Sequence, residues 1–233
     1  MDRSKGLRTA RGLLCFFVVT HQGFAASAGK DVLYSGHDWK SFANLPQAQA
    51  SIVFDRVDVE LLAAAIFHET NHRRMNHNLP LLTFDAAAAR AAEIQAQIMM
   101  QTGDVSHEHP KNAKYATLTQ RLTAVGLEPR FAAENIAYTF AVQYHSADHV
   151  YVREENGQKV FSYKPNGPPV ASHTYISFAK SVVDQWMNSP GHRENLLHRE
   201  PRFLGVGCRP AKDDSGLPMI YCCQVFYTPQ QQQ

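Results

Sequence analysis

The sequence predicts an α+β fold in a single domain. Three observations carry that reading: four helix patterns, two of them opened by aspartate caps, a closing pair of strand-like runs joined by a turn, and no βαβ rhythm between them. The chain has 233 residues, 44% hydrophobic and 19% charged, enough for one core with tails. No run of about 18 apolar residues occurs, so no spanning helix is expected.

Taken in order, residues 1–28 read as a secretory leader. Arg3, Lys5, Arg8 and Arg11 form a basic start, Gly12 to Val19 is a short apolar stretch, and Ala26-Ser27-Ala28 fits a small-residue cleavage site. An N-terminal membrane anchor is the competing reading, and the apolar stretch is too short to span. Residues 29–54 lack periodicity and read as an extended arm. Asp58 caps a helix reaching about Met75, with Val59, Leu62, Ala63, Ile66 and Thr70 on one face. Leu79-Pro80-Leu81-Leu82 is an extended connection. Asp85 then opens an alanine-rich helix ending near Thr102, stopped by Gly103. Thr117 to Val125 gives a third helix and Tyr175 to Met187 a fourth, in which Trp186 is a core residue.

The strand-like runs are Phe203 to Cys208 and Pro218 to Tyr227, joined by the turn-rich Asp213-Asp214-Ser215-Gly216. Val150 to Tyr163 forms a further hairpin around Asn156-Gly157. The tail, 229–233, ends in low-complexity glutamines and is expected to be disordered.

Loss of the leader removes four basic residues and Asp2, so the formal charge passes from +2 to −1. A near-neutral mature chain has no electrostatic footprint for nucleic acid. Of four cysteines, Cys15 departs with the leader, leaving Cys208, Cys222 and Cys223. A bridge across the closing hairpin is expected, and only one of Cys222 and Cys223 can share the face of Cys208. The spare thiol is then either buried or available to link a dimer.

His68-Glu69-Thr70-Asn71-His72 is an HExxH string on a helix, a pattern that can hold zinc with the glutamate as base. Twelve histidines make a chance match unsurprising. Met75 and Asn78 stand where a metzincin needs glycine and histidine, and Glu93 is an unsupported third ligand. His68 and His72 fall opposite the Leu62/Ile66 stripe, so we read them as two solvent-facing helix histidines.

Three other segments hold unusual residue choices. Ser106-His107-Glu108-His109-Pro110 is a loop, and Ala133-Glu134-Asn135-Ile136-Ala137 opens an apolar run. In Trp186 to Leu197, Ser189 caps a new helix with Pro190 at its first position. His192 then lies in the first turn, where the helix dipole favours the neutral imidazole that a metal or general base requires. Spacing alone does not bring residues 107, 134 and 192 together.

These segments resemble the CAP superfamily (cysteine-rich secretory proteins, antigen 5 and pathogenesis-related 1; the SCP domain), in its bacterial secreted branch. The matching blocks are Asn71-x-x-Arg74 with Leu79-Pro80-Leu81-Leu82 and Asp85, then Ser106-His107, then Glu134-Asn135-Ile136. They continue with Ser189-Pro190-Gly191-His192-Arg193-x-Asn195-Leu196-Leu197, Gly205-Val206-Gly207 and Tyr221-x-x-Gln224-x-Phe226. The resemblance covers about residues 55–228.

It implies a three-layer α-β-α sandwich around a central antiparallel sheet, with a large cleft. It also implies a divalent ion there, zinc above all, held by His107, Glu134 and His192. The family's second glutamate is absent; Asn188 and Ser189 stand in its region, and they join His109 as further cleft candidates. Ala133 replaces the usual glycine before the glutamate. Residues 141–175 exceed the family core and are expected to be an insertion whose hairpin rims the cleft, where partner specificity can reside.

The leading functional expectation is a secreted, non-enzymatic binding module, in the medium or periplasm, whose cleft holds both a divalent metal and a lipid-like or other apolar ligand. No G-x-S-x-G nucleophile motif occurs. The alternatives are a zinc-dependent hydrolase or protease with Glu134 as base, and an envelope protein acting through its surface with a vestigial cleft.

Overall fold

The structure, a computed structural model, describes residues 32–144, 149–155 and 158–230. The leader, the Asn156-Gly157 turn and residues 231–233 of the tail lie outside those residues. Among them, no helix is long and apolar enough to cross a membrane.

After a helical turn at 32–35 come α1 (Trp39–Ala43), α2 (Pro46–Gln49), α3 (Val59–Asn76), β1 (Thr83–Phe84) and α4 (Ala86–Thr102). Next are α5 (Leu118–Ala124), β2 (Pro129–Phe140), β3 (Tyr151–Glu155) and β4 (Gln158–Ser162). The chain closes with α6 (Tyr175–Met187), α7 (Pro190–Leu197), β5 (Phe203–Lys212) and β6 (Pro218–Pro229). The main sheet runs β1-β5-β6-β2 and is antiparallel except for β1, whose Thr83 and Phe84 pair in parallel with Phe203 and Leu204. The expected antiparallel sheet is therefore mixed at one edge.

Alternation along β6 splits the core into two layers. Cys222 and Phe226 pack with α3 and α6, whereas Cys223, Val225 and Tyr227 pack with α4 and α5. The alanines of α4 have a steric reason. A Cβ on Gly205 would lie 2.0 Å from the Ala89 nitrogen, and one on Gly207 2.3 Å from that of Glu93. Helix and strand thus meet backbone to backbone, with Ala88, Ala91, Ala92 and Ala96 fully buried between them.

Polar side chains fix the end of α3. Asn71 donates to the Leu82 carbonyl at 2.9 Å and accepts from the Leu82 N–H at 2.8 Å, acting as a substitute strand. Arg74, fully buried, donates to the carbonyls of Pro80, Leu196 and His198. Burial lowers its pKa to about 10. The Asn-x-x-Arg block is thereby explained: it ties the connection after α3 to the end of α7.

Three expectations change. The arm is not extended: α1 carries a reciprocal capping box between Asp38 and Ser41, and helices this short leave no periodic signal. The arm lies over α3, so α3 is buried from Leu61 through Asn71 rather than along one stripe. The hairpin β3–β4 forms as expected, but Phe161 packs on Val170 and Leu217 beside Phe140. Phe140 is six residues along β2 from Glu134, about 20 Å, so the hairpin lies at the far end of the sheet instead of rimming the histidines.

Candidate functional site

Period-two alternation in β2 sends Glu134 and Asn135 to opposite faces. Glu134 opposes Val225 and Asn135 opposes Gln224 on β6. Asn135 donates to the His192 carbonyl at 3.1 Å and accepts from Asn195 at 3.0 Å. Asn195 also donates to the Glu134 carbonyl at 3.2 Å. Strand β2 and helix α7 are therefore bolted together by amides, and the bolt carries His192 to Glu134. Gln224 continues the network by donating to Thr70 of α3 at 2.6 Å.

His107 arrives from the loop after α4. Gly103, at φ +68°, turns the chain out of the helix. Gln95 holds the Ser106 carbonyl at 2.7 Å. The His107 Nδ1 then meets Glu134 Oε1 at 2.9 Å. The rings of His107 and His192 lie 6.3 Å apart between centroids. The three residues that the sequence could not assemble are thus neighbours.

The residue that sequence reasoning missed is Arg121. It is fully buried and donates to Glu134 at 2.8 and 3.1 Å, to the His107 carbonyl at 3.2 Å and to the Tyr115 carbonyl at 3.0 Å. A signal was present: Arg121 falls on the inward stripe of Leu118, Leu122 and Val125, where a cation is unexpected. With the guanidinium on both oxygens and His107 on one, Glu134 has its charge compensated and its lone pairs largely engaged. The Cys223 Sγ fills the remaining side, 3.6 Å from Oε2.

His107 remains half exposed, and His192 is partly buried. Burial, helped by the nearby His107, lowers the pKa of His192, the direction that its place in the first turn of α7 implied.

The other candidates do not join this cluster. His109 is buried beside Arg121, its Nε2 without a hydrogen bond; burial first, and then Arg121, lowers its pKa. Asn188 caps the end of α6 and lines a shallow depression of about 370 Å³ with Arg193 and Glu194. Ser189 takes the N-cap position of α7, but its hydroxyl makes no capping bond.

The HExxH string does something else. His68 is 2% exposed, not solvent-facing. Its Nε2 bonds the Leu33 carbonyl at 2.8 Å, and its ring stacks on Phe42. His72 stacks on Trp39 at 4.9 Å. Glu69 is buried against Arg73, which also reaches Asp184 of α6 at 2.8 Å. Glu93 pairs with Arg209 instead of approaching either histidine. Both histidines of the string hold the arm onto α3, and beside them lies an apolar cavity of about 670 Å³ walled by Tyr34, Trp39, Phe67 and Phe84.

A three-layer sandwich with two neighbouring histidines and a buried glutamate on its edge strand defines a class. Residues 67–226 match the Cysteine-rich secretory protein family, CAP, and the chain belongs to that family. Among proteins of Bacillus subtilis it is 28% identical over 138 residues to an uncharacterised membrane protein, YlbC, and 25% identical over 138 residues to the uncharacterised YkwD. Each match takes in 59% of this chain but only 29% and 38% of those relatives. Similar solved structures include an extracellular protein containing an SCP domain from Bacillus anthracis. It is 26% identical, with TM-score 0.48, over 73% of this chain and 41% of that one. Another is an outer surface protein of Borrelia burgdorferi, 16% identical, with TM-score 0.44, over 71% and 90%.

The metal implied by the resemblance can be tested against these atoms. Among the described residues no group of three or more His, Cys, Asp or Glu is arranged to hold an ion. The rings of His107 and His192, 6.3 Å apart between centroids, stand wider than the roughly 5 Å that two imidazoles on one tetrahedral zinc require, so sharing an ion would draw them together. A His107 that donates from Nδ1 to Glu134 presents an unprotonated Nε2, the form a metal takes. Glu134, the third ligand that the resemblance implies, is held by Arg121 through both oxygens and lies behind that imidazole.

Proposed function

We propose that this chain is an exported binding module of the CAP family, in which His107 and His192 hold a divalent ion, zinc by ligand type. The observation that carries the reading is the Arg121–Glu134–His107 chain of contacts, which orients one imidazole towards the other. Bound there, the ion would supply Lewis acidity and open positions for oxygen atoms of a ligand or solvent. Glu134 orients His107, and Arg121 holds that carboxylate in its buried place.

A hydrolase would need a carboxylate free to take a proton from water. Both oxygens of Glu134 are already engaged, which favours binding over catalysis. For the apolar ligand, the cavity beside Trp39 offers the room; Met75 and Leu81 at its mouth are exposed. Export rests on the leader pattern of residues 1–28.

The test is zinc addition followed through the histidine ring resonances at pH 7.5. The account expects His107 and His192 to shift together, and Glu134→Gln to weaken affinity by about 10–100-fold without abolishing it. Unmoved rings would overturn it. For the cavity, a fluorescent lipid probe should bind saturably, and Leu81→Glu with Met75→Glu should block it.

A further inference from the structure

The antiparallel register of β5 and β6 sets Cys208 directly opposite Cys222. Their Sγ atoms lie 3.9 Å apart on the α3–α6 side of the sheet, in the core with Val206 and Ile220. Cys223 projects to the other side, into the α4–α5 layer beside Glu134. Opposed residues of antiparallel strands have Cα atoms about 4.5–5.5 Å apart, within the roughly 4.4–6.8 Å that a disulfide spans. Closing the pair therefore asks for side-chain rotation and no slip of the strands.

We propose that Cys208 and Cys222, and not Cys223, are a modification site that forms an intrachain disulfide as the chain folds in an oxidising compartment. The oxidant is a disulfide compound, either a small molecule such as glutathione disulfide or the disulfide of an oxidoreductase. One cysteine thiolate attacks the oxidant and expels one thiolate, giving a mixed disulfide. The second cysteine thiolate then attacks that sulfur and expels the other. The cysteine pair loses two electrons and two protons, and the oxidant is reduced to two thiols.

Both sulfurs are buried in the folded protein, and burial pushes the Cys222 thiol up, so the thiolates are available chiefly before the sheet closes. Cys223 stays reduced, because a bridge from it would have to pass through the strand. The proposal rests on the export reading for its compartment, and on the strand register and the Sγ separation for its geometry.

The experiment is refolding of the full chain in mixed reduced and oxidised glutathione. Free thiols are then alkylated under denaturing conditions, and the linked peptides are mapped by mass spectrometry. Tryptic cleavage after Lys212 separates Cys208 from the other two. Most molecules should carry a Cys208–Cys222 link with Cys223 alkylated. Cys223→Ser should keep the link, and Cys222→Ser should lose it with no link through Cys223 taking its place. Four alkylated thiols, Cys15 included, or a link that includes Cys223, would overturn the proposal. The same mapping on chain recovered from the cells separates the two readings: a bridge in the refolded chain but not in the cellular one counts against export alone.

Discussion

His68 and His72 stand four residues apart on one helix, in a pattern that names a chemistry; His107 and His192 come from a loop and a helix with no pattern between them. The first pair is spent on packing: one ring hydrogen-bonds the Leu33 carbonyl and stacks on Phe42, the other stacks on Trp39. In the second pair His107 is half exposed, with a buried carboxylate behind its Nδ1. Local spacing sets what a helix face can offer, and what covers that face sets what it does. Here the arm covers the first pair, and nothing described covers His107.

The largest effect should come from the buried charge behind the second pair. Arg121→Met leaves Glu134 buried without its cation and should cost about 3–5 kcal/mol in urea unfolding. Adding Glu134→Gln should return part of that loss. A cost below about 1 kcal/mol would mean that the carboxylate is not held as described.

Packing of the first pair comes next. Phe42 is fully buried, and Phe42→Ala should cost about 3 kcal/mol and raise protease cleavage within the arm. A variant as resistant as the parent would remove the arm from the account.

Acid should then sharpen the contrast. Burial lowers the pKa of His68, so the folded chain resists a proton that the unfolded chain accepts. That contribution is complete above the unfolded pKa, about 6.5, and is lost as pH falls from there through the lower folded pKa. Melting temperature should therefore drop below pH 6.5, and drop less steeply in His68→Gln. His109 and His192 shift the same way and should leave the remaining slope. The smallest change in stability belongs to His107→Ala, because the ring is half exposed: about 1 kcal/mol or less.

Much of the fold was legible because caps and turns are local. Asp58 and Asp85 cap the helices that they were read to cap, and Gly103 and Gly216 take positive φ. The arm was not legible, since five- and four-residue helices carry no period. Strand β2 was read only as an apolar run, because Glu134 and Asn135 interrupt it for the sake of the site. The proximity of His107, Glu134 and His192 came through family resemblance; the amides of Asn135 and Asn195 that enforce it required the fold. Arg121 was readable in principle as a cation on an inward stripe.

Zinc titration by calorimetry at pH 7.5, on the full chain and two double variants, tests the central claim most directly. The account predicts saturable binding to the parent and to His68→Ala/His72→Ala, and none to His107→Ala/His192→Ala. Binding that survives the loss of His107 and His192, or that vanishes with His68 and His72 while the chain stays folded, would contradict it.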